Sequence, residues 1–139
     1  MTMATGPFGA IGIAGTGVTV YRKWLDAVSD NIANINNVAP TSGEAFRARY
    51  VLAQAVDYGS GNGGVQVGGI ELGKAEGRLV YEPDHPLADE KGYVRYPDID
   101  LGAQMGQLMM AQRSYQANLS VVDRAYDAYQ AALQLGRNG

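Results

Sequence analysis

The chain's single histidine, His85, stands in the run Tyr81-Glu82-Pro83-Asp84-His85-Pro86, with Asp89 and Glu90 close behind. An imidazole among carboxylates has the composition of a general acid–base pair or a metal site. This run has no second histidine to add a ligand and no evident nucleophile–base pairing, and prolines bound it as a loop. Loop structure and partner contact are therefore the expected roles. The glycine cluster Gly59-Ser60-Gly61-Asn62-Gly63-Gly64 lacks the Lys-Ser/Thr and helix start of a phosphate loop, so it reads as a hairpin turn. Asn118-Leu119-Ser120 matches a glycosylation sequon only by accident of its place on a helical seam. Tyr115, Tyr126 and Tyr129 fall at helical spacing and read as packing residues, not as a platform for bases. No catalytic residue, metal ligand, cofactor or small-molecule substrate is assigned.

Composition narrows the classes further. Zero cysteines exclude disulfides, thiolate metal sites and a cysteine nucleophile. A net charge of −3, with 11 scattered basic residues, argues against nucleic acid, which demands clustered Lys and Arg. The opening MTMATGPFGAIGIAGTG has no positive charge ahead of its apolar stretch, so any export is expected without a cleaved Sec-type signal. No run approaches the ~20 apolar residues of a membrane span.

The elements that position these residues fall into three regions. Residues 1–14 are rich in Gly, Ala and Ile and are expected to be unordered. From Thr16, a candidate N-cap, Val18, Tyr21, Leu25, Val28, Ile32 and Ile35 recur at 3-4-3-4-3, a heptad seam within 15–38. Residues 41–97 change period: Phe46 to Ala53 alternates, 65–72 and 77–83 suit two strands of a hairpin, and 93–96 a fourth. From Asp98, a second candidate cap, the helical pattern returns over 98–137. Leu101, Met105, Leu108, Gln112, Tyr115, Leu119, Val122, Tyr126, Tyr129 and Leu133 make the longer seam. Gln112 either fixes register within the seam or marks where it turns to solvent. The fold class expected is α+β: two long terminal helices packing as a coiled-coil domain, with a small antiparallel β insertion between them.

At 1.5 Å per residue the helices would be roughly 30 and 55 Å long. Paired as an antiparallel hairpin, the longer seam stays partly uncovered. Either the chain is a self-contained hairpin capped by a sheet, or neighbouring copies and partners complete the burial. In the second case the terminal segments gain order as their seams are covered.

Specific words favour the second reading. Leu25-Asp26-Ala27-Val28-Ser29-Asp30-Asn31-Ile32-Ala33-Asn34-Ile35-Asn36 resembles the Asn-rich signature of the flagellar rod and hook proteins, with Asn31, Ala33, Asn34 and Asn36 in its fixed places. Asn37 stands where that family often has Thr. Ala111-Gln112-Arg113-Ser114-Tyr115-Gln116-Ala117-Asn118 resembles the same family's C-terminal motif, carried by Arg113, Tyr115, Gln116, Ala117 and Asn118. The block from Tyr81 to Pro97, with Pro83, His85, Pro86, Asp89, Gly92 and Tyr93, is similar to proximal-rod members. The resemblance spans about residues 15–137.

It implies a structural subunit of the bacterial basal-body rod, located in the periplasm, that self-associates and packs with other rod subunits. It also implies delivery by the flagellar type III export apparatus, terminal helices lining an inner tube and a β region facing outward. The loop around His85 becomes a subunit contact. Two alternatives stand beside it, another short axial flagellar subunit and a cytoplasmic helical-hairpin regulatory protein.

Overall fold

The computed structural model describes residues 7–59 and 62–138. Its elements are α1 (Pro7–Ala33), β1 (Arg49–Gly59), β2 (Asn62–Leu72), β3 (Arg78–Tyr81), β4 (Tyr93–Tyr96) and α2 (Leu101–Asn138). The architecture is α+β, with two long terminal helices enclosing a small β insertion.

Both helices start where side chains or ring geometry satisfy the first turn, and neither starts where the pattern suggested. Proline at the first helical position lacks the N–H that would be left over there, and its φ is preset for a helix. Helix α1 accordingly begins at Pro7, so residues 7–14 are helical where an unordered stretch was expected. The rest of that stretch, residues 1–6, lies outside the described residues. Burial of Ala14 and Val20 outweighs the poor helix propensity of the intervening glycines. Thr16 is an interior residue, not a cap. Its hydroxyl donates to the Ile13 carbonyl at 2.6 Å and accepts from the Val65 N–H at 3.0 Å.

At the other end, α1 stops at Ala33, before Ile35. The Asn34 side-chain amide and backbone N–H both donate to the Asp30 carbonyl, at 2.8 and 3.1 Å. Asp100, not Asp98, caps α2, its Oδ1 accepting from Gly102 and Ala103 at 2.9 and 3.3 Å. A turn from Ile99 N–H to the Pro97 carbonyl, with Ile99 buried, moves the start two residues on.

The strands pair as two ribbons, β1 with β2 and β3 with β4. The hairpin expected between 65–72 and 77–83 does not form. Only two residues separate β1 from β2 in the sequence. β3 and β4 run antiparallel in the register Arg78↔Tyr96, Leu79↔Arg95, Val80↔Val94, Tyr81↔Tyr93.

The chain divides into two compact units. The first comprises Met1–Lys23, Leu52–Gly68 and Met110–Gly139; the second comprises Trp24–Val51 and Gly69–Met109. In the second, a core of Ala27, Val28, Ala45, Ala48, Val94 and Ile99 is buried. Arg95 ties its segments together. Its backbone bridges Ala39 in both directions at 2.8 Å, and its guanidinium donates to the carbonyls of Thr41 and Glu76. The first unit buries Ala14, Val20 and Ala111, with β2 tied to α1 through Thr16 and Val65.

Candidate assembly interface

Two faces must be told apart on each helix, the one covered within the subunit and the one left open. On α1 the covered face holds Ala14, Gly17, Val20, Ala27, Val28 and Asn31. Of the apolar seam, Val28 alone is fully buried; Val18, Tyr21, Leu25 and Ile32 are half-buried, as is Ile35 beyond the helix end. Gly17, Val20, Trp24, Ala27 and Asn31 repeat the same 3-4-3-4 spacing one residue earlier. One residue is about 100° of helix, so the covered stripe is turned toward small and polar side chains.

The same offset recurs on α2. Gln104 and Ala111 are buried, and Leu108, Tyr115, Asn118, Val122, Ala125 and Tyr129 are half-buried. Leu101, Met105, Gln112, Leu119, Tyr126 and Leu133 are exposed. Gln112 thus stands on the solvent side. Every residue from Gln130 to Arg137 is exposed as well.

Small residues decide which face closes. A Cβ built on Gly17 would stand 2.6 Å from the Asn118 Oδ1, so a larger residue there must push that amide aside. Asn118 also donates to the Ser114 carbonyl at 3.0 Å. Beside it an open groove of about 650 Å³, lined by Ile13, Gly17, Tyr21, Val65 and Val121, remains in the first unit.

In the second unit Asn31 is completely buried. Its Nδ2 donates to the Arg49 carbonyl at 3.0 Å and its Oδ1 accepts from the Arg49 N–H at 2.8 Å. The amide therefore pairs with the first residue of β1 as a neighbouring strand would. Nδ2 donates as well to Gln104 Oε1 at 3.2 Å, and Trp24 Nε1 donates to Gln107 at 3.4 Å. As α1 is followed backward from residue 31 to 24, its partners on α2 advance from 104 to 107, so the helices pack antiparallel here. Asp30 adds an ion pair to Arg49, both half in solvent and so of small weight.

The other motif residues are spread between these faces. Asn34 caps α1, whereas Ala33 and Asn36 are exposed. Arg113, Gln116 and Ala117 are exposed on α2.

The His85 loop is closed on itself. His85 Nδ1 accepts from the Leu87 N–H at 3.0 Å. Asp89 Oδ1 accepts from the N–H groups of Lys91 and Tyr93, each at 2.9 Å, while Oδ2 accepts from the Thr41 hydroxyl at 2.9 Å. These donors, the Tyr93 N–H foremost, hold the Asp89 carboxyl below its ordinary range against the opposing effect of desolvation. Gly92 sits at φ 86°. A side chain there would be strained and would strike the Tyr81 ring, whose centroid lies 5.4 Å from that of Tyr93. The Tyr96 hydroxyl donates to Glu82 at 2.8 Å, and this raises the Tyr96 pKa. Pro83 and Pro86 are exposed.

Among the described residues, no group of three or more His, Cys, Asp or Glu could hold a metal ion, and no helix is long and apolar enough to cross a membrane.

Comparison with known proteins decides the family. Residues 90–135 match the family described as flagellar basal body rod FlgEFG protein C-terminal. The flagellar basal-body rod protein FlgC of Salmonella typhimurium strain LT2 is 39% identical over 127 residues, which span 90% of this chain and 94% of that protein. The FlgC of Escherichia coli O6:H1 is 38% identical over 126 residues, with the same coverage. That of Borreliella burgdorferi is 34% identical over 149 residues, spanning 94% and 97%. This chain belongs to the FlgC family of flagellar basal-body rod proteins.

As a FlgC-family member it is a structural rod subunit, not an enzyme. Sequence reasoning recognised the words of the family motifs but missed the parts played by Asn31, Gln104, Gly17 and Asp100. The available signal was the heptad repeat of small and polar residues, Gln104, Ala111, Asn118 and Ala125, which a search for large apolar side chains passes over.

Proposed function

We propose that this chain is a subunit of the proximal rod, and that it joins copies of itself and other rod subunits through the open side of α2. The exposed apolar stripe Leu101, Met105, Leu119, Tyr126 and Leu133 carries the reading. Large apolar side chains in that number on one helix flank call for cover. The terminal helices then pack as a coiled-coil-like inner tube, while the β insertion faces outward with the His85 loop against neighbours. Delivery to the periplasm is through the type III export apparatus. The two covered faces hold each subunit's own fold, and the stripe links subunits.

Leu119→Asp tests this. A carboxylate placed in a packed, dry contact lacks a partner and strongly disfavours it. Electron microscopy of basal bodies from cells carrying only this variant should show no completed rods. Normal rods and motility would refute the interface.

A further inference from the structure

Five methionines are the chain's only sulfur. Met1 and Met3 lie outside the described residues, and Met110, 54% exposed, sits half a turn round α2 from Leu101, whereas Met105 and Met109 stand 45% and 52% exposed nearer to it. At i and i+4 they neighbour one another on the helix surface. The adjacent Gln104 is 3% exposed and Ala111 is wholly buried, so the two thioethers occupy the open flank and not the covered face. Leu101 and Leu119 share that flank and have no comparable reactivity. A thioether, unlike a hydrocarbon side chain, is turned polar by a mild two-electron oxidant, and the change is enzymatically reversible.

We infer that Met105 and Met109 form an oxidation switch on rod incorporation, acted on by a peroxide. The inference rests on the packing reading above. Each sulfur attacks one peroxide oxygen; the O–O bond breaks, an S–O bond forms, and the other oxygen leaves as water after proton transfer. Sulfur loses two electrons and the peroxide gains them. Reversal consumes two thiols, which become a disulfide as the oxygen leaves as water. Between these steps, two apolar side chains of the docking flank carry polar S–O groups that a packed contact leaves without donors. The sulfoxidised chain is refused by the growing rod. Chains already covered by neighbours are shielded, so the switch acts on newly delivered subunits.

The test uses cells that build rods only from an inducible copy of this chain, either wild type or M105L/M109L, a volume-conserving pair. Hydrogen peroxide is given at induction, basal bodies are counted by electron microscopy, and peptide mass spectrometry locates added oxygen. Without peroxide the two chains should build equally. With it, wild-type rods should fall about tenfold below the variant, the effect of burying an unpaired polar group at the contact. Sulfoxide at 105 and 109 should collect in unincorporated chain. Should M105L/M109L build no rods unaided, M105L and M109L are compared singly in the same way. Equal losses in wild type and variant, or equal sulfoxide in finished rods and free chain, overturn the switch. If Leu119→Asp still blocks rods in those cells, the packing reading survives that failure. If it does not, both fall.

Discussion

Asn31 pairs both halves of its amide with the backbone of Arg49 and shares a hydrogen with Gln104 in a fully buried setting. Asn31→Ala strands the Arg49 N–H, the Arg49 carbonyl and Gln104 Oε1 at once. Each orphaned group costs about 1–3 kcal/mol, and partial relaxation leaves a destabilisation of about 3 kcal/mol. Urea unfolding followed by circular dichroism should show the midpoint shift; an unchanged midpoint would remove Asn31 from the core of the fold. Asp89 makes a second residue-scale prediction. Its folded pKa is lowered by the N–H groups it accepts from. Its contribution is therefore complete above the unfolded aspartate value of about 4 and is lost as pH falls through the lowered folded value. Amide exchange at Lys91 and Tyr93, followed by NMR, should stay slow down to that range and quicken below it. Asp89→Asn should quicken it at neutral pH as well.

At the scale of elements, the long helices have different work on their two sides. Gly17, Ala27, Ala111 and the two buried amides permit close backbone approach within the subunit. Of the larger apolar residues one position on, all but the buried Val28 remain half or wholly open. Substitutions should separate accordingly. Tyr126→Asp, at a side chain 54% exposed, should leave the monomer's circular dichroism unchanged and its stability within about 0.5 kcal/mol of wild type, as for an exposed surface site, while preventing rod completion. Gly17→Val should do the reverse, lowering stability first because the added atoms collide with Asn118. Equal effects of both on stability would mean that the two sides are not distinct.

On the scale of the whole molecule, exposure from Gln130 to Arg137 leaves the last turns of α2 with little tertiary support. An isolated helical segment of that length is marginal in water. Hydrogen exchange should therefore be fast over 130–137 in the free chain and slow in isolated rods, since helical order there depends on neighbours. Protection already complete in dilute monomer would contradict the proposed gain of order on assembly. The β insertion is supported differently. β3–β4 is a two-stranded ribbon, too small to stand alone, and Val94, Arg95 and Tyr96 fix it to the surrounding loops.

Much of this was legible in the residues. Period 3.5 at both ends, period 2 in the middle and the family words around Asn31, His85 and Tyr115 determined an α+β rod protein with terminal helices. The two periods are local properties, set by side-chain spacing and backbone preference, while the rod family was read from the resemblance of its motifs. Which side of each helix closes was not local. Apolarity ranks Leu25 and Leu119 above Gly17 and Asn118, yet close packing rewards the small residues that let two backbones approach, and hydrogen bonding makes Asn31 and Gln104 as good a core as hydrocarbon. The caps moved for a similar reason: Asp98 and Asp100 are equal as residue types, and the burial of Ile99 chose between them. Tertiary structure alone decided that the seam of α2 is largely open while that of α1 is half-covered, because only there do the partners of each side chain become known.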